Sequence, residues 1–537
     1  MTAFLKTYSL CLLFFVLNAC NFSDSDLFSG DILLTEIENK TNYLAPLIIQ
    51  NNDDETVRLN GKTLTFEQGR YELNEAGFYE LTIGNDETIR FVLLDEERGE
   101  TEWGLKKWIP ATPEFQTELP HEVLLFHPAN YVPGLKIPLV VQLENHQANQ
   151  AINAKGTANE QRFLLKNGAG SIQLDAIEGQ IKLLLGGQTI SKTLGKAAVS
   201  LAFPDQVISG DIVIPENETV QITNDLIITA SGSLTIEAGA ILLLDEGVNI
   251  YNQGPVHING TIVNPVWLSC SASDAHFGGF ISTGANAAIT AKHTFFTNFA
   301  QHAEAEYQYG HARHQALFRA SDTRLSFTNC YFMDTPGQVF YPERSQIEIE
   351  NCLIQRAKTG GQINASELTI NNSYFSDFPD DSQNYRNEDN DALYISGSSA
   401  TISHSVFMYA KDDGIDSGGS EGGKISISGC RIEACFHEGL ALSSTNPAVK
   451  THTIINTTVS NCQQGIELGY SSSQHEVYIE NCHLNNNYIG IRYGDSYEWS
   501  VMGTITVSSS NLDANEKASW NMLRQSWTAA PDHLIFE

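Results

Sequence analysis

The stretch Lys411-Asp412-Asp413-Gly414-Ile415-Asp416-Ser417-Gly418 crowds the carboxylates of Asp412, Asp413 and Asp416 into five residues. Carboxylates so close repel one another and require protons, basic partners or a cation. Hard oxygen donors in an exported chain suit Ca²⁺. The chemistry on offer is therefore cation binding and, through the cation, contact with an acidic ligand. The plain alternative is a solvated acidic turn screened by counter-ions.

A repeat decides what stands beside these acids. Asp413-Gly414-Ile415-Asp416 recurs as Glu438-Gly439-Leu440-Ala441, Gln464-Gly465-Ile466-Glu467 and Ile489-Gly490-Ile491-Arg492, and Asp391-Ala392-Leu393-Tyr394 precedes it. This spacing is that of one coil of a right-handed parallel β-helix, whose strands stack about 4.8 Å apart. The third residue of the frame is apolar and points inward, so the fourth points outward. The outward line reads Tyr394, Asp416, Ala441, Glu467 and Arg492, with Glu467 and Arg492 one coil apart and within reach of an ion pair. The first position forms a second line at the turn: Asp391, Asp413, Glu438 and Gln464. The residue before it adds Asn390, Asp412, His437 and Gln463. Asp391, Asp412, Asp413 and Asp416 thus converge as candidate Ca²⁺ ligands, with Lys411 able to neutralise one charge. His437, which titrates near neutral pH, joins Glu438, Glu467 and Arg492 as candidate catalytic residues. A hydrogen-bonded turn residue is the alternative for His437.

A second marker runs in parallel. Asn329-Cys330, Asn351-Cys352, Asn372-Ser373, Gly429-Cys430 and Asn481-Cys482 occupy equivalent places. Stacked Asn amides bond along such a turn, and small Cys or Ser side chains fill the interior beside them. Disulfides are the alternative, though side-by-side parallel strands suit them poorly. An insertion near 376–390, holding Pro379 and the acids Asp377, Asp380, Asp381, Glu388 and Asp389, reads as a loop walling a groove. Tyr470, Tyr493, Tyr497, Trp499, Trp520 and Trp527 crowd the last coils, either capping the open end or stacking on sugars.

The rest of the chain frames this region. With 537 residues and a formal net charge of -33, it is multidomain, and nucleic-acid or anionic-membrane binding is excluded for want of a basic face. Residues 1–20 read as a signal peptide, with an apolar run too short to span a bilayer. Leu17-Asn18-Ala19-Cys20 resembles a bacterial lipoprotein cleavage box, which implies lipidation at Cys20, a tether over 21–27 and anchoring to the cell envelope, at the outer membrane, by lipid alone. Residues 28–100 and 101–205 alternate in short hairpin-linked runs and predict one or two β-sandwich (Ig-like) domains. Residues 206–537 form the solenoid. The fold class is all-β: a C-terminal right-handed parallel β-helix behind β-sandwich material.

The Asp-plus-apolar strand followed one coil later by Asp-Asp-Gly-x-Asp resembles the calcium site of family-9 pectate lyases, over about 26 residues. The resemblance implies Ca²⁺ at Asp391, Asp412, Asp413 and Asp416, and β-elimination of an acidic polysaccharide. Those lyases carry a Lys base on the next coil, where this chain has Ala441; His437, Lys411, Lys450 and Arg492 are the substitutes on that face. Over its length the chain resembles β-helix-repeat bacterial lipoproteins, for which no single activity follows. A polysaccharide lyase, a glycoside hydrolase using Asp416, Glu438 and Glu467, and a non-catalytic surface glycan-binding protein all stay open.

Overall fold

The computed structural model of the protein describes residues 28–536 apart from 38–40, 52–55, 75–76, 85–86, 95–99, 102–104, 107–109, 176–177, 204–205, 302–303, 379–389, 419–422, 443–450, 469–475, 494–502 and 522–533. The segments read as signal peptide and tether, Cys20, the centre of the 376–390 insertion, Lys450, Tyr470, Tyr497, Trp499 and Trp527 lie outside the described residues. No helix among the described residues is long and apolar enough to cross a membrane.

The chain divides between residues 107 and 108 into two units. In the first, seven strands form one mixed sheet. Thr41–Gln50 runs parallel to both Phe28–Leu33 and Glu87–Leu94, and Gly77–Ile83 returns antiparallel to the latter. Leu47, Ile49, Leu81 and Phe91 make its fully buried core.

The second unit opens with two antiparallel sheets packed face to face. One holds Val123–Phe126, Ile137–Leu143 and Ala169–Leu174; the other holds Ala154–Ala158, Gln161–Leu165, Gln180–Leu185 and Gln188–Thr193. Gln180–Leu185 alternates exposed and buried residues, as a strand with one wet face should. Ile137–Leu143 is buried on both faces. Its Leu139 and Val141 enter the sandwich core, whereas Val140 joins a second apolar layer shared with the β-helix.

From residue 207 the chain coils as a right-handed parallel β-helix with three stacks of strands. One coil runs Gln346–Glu350, Leu353–Gln355, Thr359–Asn364, and each strand pairs in parallel with its counterpart in the next: Glu367–Asn371, Tyr374–Phe378 and Tyr394–Ser396. The corner between first and second stacks takes a left-handed residue, which falls on Asn329, Asn351, Asn372, Asn456 and Asn481; Asn tolerates this conformation better than most side chains. The corner amides bond along the stack, Asn372 to Asn351 at 2.7 Å and Asn481 to Asn456 at 2.6 Å. One residue later an interior ladder begins. The backbone N–H of Cys330 donates to Cys352 Sγ, that of Cys352 to Ser373 Oγ, and that of Ser373 to Ser405 Oγ. All seven cysteines beyond residue 27 are buried free thiols. Behind them Phe296 stacks on Phe332 at 4.9 Å and Phe375 on Phe407 at 4.8 Å.

The outer faces differ. First-stack strands such as Gln346–Glu350 and Glu367–Asn371 alternate buried and non-buried residues. Second-stack strands such as Tyr374–Phe378 and Val406–Ala410 are buried throughout, because the sandwich covers them: Trp267, Phe295, Tyr331, Leu353 and Val406 cluster with Val132, Leu135 and Val140. Asp377, expected in the inserted loop, ends up inside a strand of this covered face. Its carboxylate takes a bond from Lys166 Nζ at 2.6 Å and from Gln355 Nε2 at 2.7 Å, a pairing that a buried charge requires.

The third stack explains the glycine of the repeat. A Cβ on Gly439 would stand 2.6 Å from Val459 Cγ1 and 2.7 Å from the Gly465 carbonyl oxygen; one on Gly414 would meet Ile432, Cys435 and the Gly439 carbonyl. These glycines therefore face the core, as do the apolar residues that follow them. Two consecutive inward positions break strict alternation, so the first and fourth residues of each frame share the outer face. Gly439→Val should cost about 1–3 kcal/mol through overpacking, read as a lower urea midpoint; an unchanged midpoint would contradict this packing.

Candidate functional site

Register assembles the site from five coils. Tyr394 pairs with Asp416, Asp416 with Ala441, Ala441 with Glu467, and Glu467 with Arg492. Glu438 pairs with Gln464. Ligand atoms of Asp412, Asp413 and His437 lie within 4.8 Å of one another. His437 Nδ1 is 3.3 Å from both Asp412 Oδ1 and Asp413 Oδ1, and it also contacts Glu438 Oε2. Asp391 and Asp416 stand outside that group. Asp391 accepts the Asp413 backbone N–H at 3.3 Å, and Asp416 accepts that of Gly418 at 2.7 Å. Asp413 in turn accepts the Glu438 N–H at 2.8 Å. The acids thus bind the turns of successive coils to each other.

The network continues inward along the stack. Gln464 Nε2 donates to Glu438 Oε1 at 2.6 Å, and Arg492 Nη1 donates to Gln464 Oε1 at 2.9 Å. Arg492 Nη1 is also 3.6 Å from Glu438. The expected Glu467–Arg492 ion pair does not form: the guanidinium turns back toward the first-position line because both lines share one face. The fourth-position line, expected to be exposed, is covered at its far end, with Glu467 6% and Arg492 1% exposed. Lys411, expected to neutralise an acid, is buried with its ammonium 4.3 Å from the centre of the Phe436 ring. Tyr493, expected as a cap or sugar platform, belongs to the core and bonds the Gly503 carbonyl at 2.8 Å.

Electrostatics follow from this burial. Burial raises Asp413 well above the ordinary carboxylate range, and the charges of Glu438 and Asp412 raise it further. Burial and Glu467 raise Glu438, against the pull of His437. Burial alone would lower His437, but Glu438, Asp412 and Asp413 together hold it well above its ordinary value. These carboxylates favour the imidazolium form. The carboxylates around Nδ1 stabilise the charged form, which works against the neutral base that the sequence suggests.

A protein-family model described as a right-handed β-helix region matches residues 315–474 and, in an overlapping second match, 364–528. Comparison with curated proteins and with solved structures finds no match. The match covers the coils that carry the site and agrees with the parallel stacks. Of the expected residues, Asp412, Asp413 and His437 meet in one group, while Asp391 and Asp416 bond to backbone N–H groups beside it. Gln464 as the bridge between Glu438 and Arg492 has no signal of its own, because its role depends on Gly465 facing the interior.

Three raised groups, His437, Asp413 and Glu438, bind protons on folding. A raised His stabilises fully below its unfolded value, about 6.5, and loses that contribution as pH climbs through the folded value; the raised Asp413 carries the same sign. The raised carboxyls lose their contribution as pH climbs above about 4 and His437 adds its own loss above about 6.5, so stability should fall with rising pH and fall further into the alkaline range, by up to about 1.4 kcal/mol per pH unit per proton. His437→Gln should flatten the melting temperature against pH; an equally steep profile in the variant would contradict this assignment.

Proposed function

We propose that the chain is a lipid-anchored protein of the bacterial cell envelope whose third-stack face binds an acidic polysaccharide through a divalent cation. The observation that carries this reading is the meeting of Asp412, Asp413 and His437 within 4.8 Å, largely out of water. Asp413 resists ionising there, and a divalent cation removes that penalty by replacing protons. The donor set fits such an ion: Asp412 and Asp413 as first ligands, with Asp391 on the coil before and Asp416 on the adjoining strand as further hard oxygens beside the group. When bound, the cation would supply a Lewis acid against a sugar carboxylate. The chain's own groups would exclude water, hold Asp413 and Glu438 in register, keep Arg492 as a positive charge facing Glu438, and give up the protons of His437 and Asp413 as the ion enters. The lipoprotein box ending at Cys20 supports an envelope location.

Elimination also needs a base near the substrate's acidic proton. Ala441 supplies none, and a protonated His437 is an acid. Binding without cleavage is what these residues support best. Asp416 and Glu467, the register neighbours of Ala441 on either side, are the carboxylates that a cleaving reaction would have to use.

The chain should be retained on immobilised polygalacturonate in Ca²⁺, elute with chelator, and lose retention on Asp413→Asn, without ultraviolet absorbance from unsaturated uronates. Retention indifferent to chelator and to Asp413→Asn contradicts the proposal. Absorbance that grows and is abolished by Asp413→Asn replaces binding with lyase activity.

A further inference from the structure

A cavity of about 490 Å³ lies between the sandwich and the β-helix, where the second stack turns toward the third. Its lining holds four cationic side chains, Lys136, Arg162, Lys166 and Arg356, against two carboxylates, Asp334 and Asp377. This surplus of positive charge occurs in a chain of net charge -33, so ordinary surface composition does not account for it. The two carboxylates are already used. Asp377 is paired with Lys166, and Asp334 takes Arg356 Nη2 at 2.9 Å and Gln173 Nε2 at 3.0 Å. Arg356 is further fixed by the carbonyl and hydroxyl oxygens of Ser171, each at 3.0 Å. Lys136 and Arg162 are exposed at the mouth and take part in no ion pair among the described residues.

We infer that this cavity is a second binding site, for a sugar of one or two rings carrying a carboxylate. Its volume is that of a small-molecule site. Lys136 and Arg162 are free to meet the carboxylate, Arg by two parallel bonds. The Gln173 side-chain carbonyl and the Ser273 hydroxyl offer partners for ring hydroxyls, the Ser171 hydroxyl and Gln173 amide nitrogen being engaged within the protein, and Ile172 and Leu164 give an apolar wall. The site shares no residue with the Asp412–Asp413 cluster and stands whether or not that cluster binds a cation.

Calorimetric titration of the full chain with digalacturonate tests the inference, using Lys136→Glu and Arg162→Glu, whose exposed positions leave the core intact. Saturable binding is expected, weakened about tenfold or more by each reversal and changed by less than about twofold by Asp413→Asn, which lies in a separate network. Absence of saturable binding, affinity that survives both reversals, or inorganic sulfate binding as tightly as the sugar would overturn it.

Discussion

In a parallel β-helix the hydrogen bonds of each strand are made to the coil before and the coil after, so a residue's neighbour is its counterpart one repeat away. Everything in this structure follows from that stacking of like on like. Where the repeated residue is Asn, Phe or a small hydroxyl or thiol, the stack stabilises itself: amide on amide at Asn351 and Asn372, ring on ring at Phe296 and Phe332, Cys352 on Ser373. Where the repeated residue is an acid, the same rule sets charge against charge.

Asp391, Asp413 and Glu438 are that second case, and the surrounding residues limit the cost. The line changes from acid to amide at Gln464, which passes Glu438's bond on to Arg492. His437 places a positive charge among three carboxylates. Even so, Asp413 and Glu438 are pushed toward their protonated forms. A group of acids held together by backbone register, and kept only partly neutralised, is prepared to exchange protons for a cation. Chain geometry rather than mutual attraction holds it in place.

The coil spacing, the inward apolar line and the Asn and Cys corners were legible in the sequence because each depends on residues one repeat apart. The Asp412–Asp413–His437 neighbourhood was legible for the same reason. What escaped depended on longer connections or on a local break in pattern. Asp377 looked like a loop acid because its partner, Lys166, is remote in sequence and belongs to another domain. The sandwich that covers Tyr374–Phe378 and Val406–Ala410 left no mark one repeat away. The outward direction of Glu438 and Gln464 was hidden because strict alternation would point them inward, and only the close approach of the Gly439 and Gly465 positions to the core reverses it. Charge state was least accessible: a histidine read by its ordinary affinity for protons holds them more tightly once three carboxylates surround it.

Cation uptake coupled to proton release tests this account most directly. Titrating the chain with Ca²⁺ in buffers of different ionisation enthalpy separates the ion bound from the protons lost. The account predicts one ion per chain, with protons released from the His437–Asp413 group, and neither signal in Asp413→Asn. Binding with no dependence on buffer, or no binding at all, would contradict it.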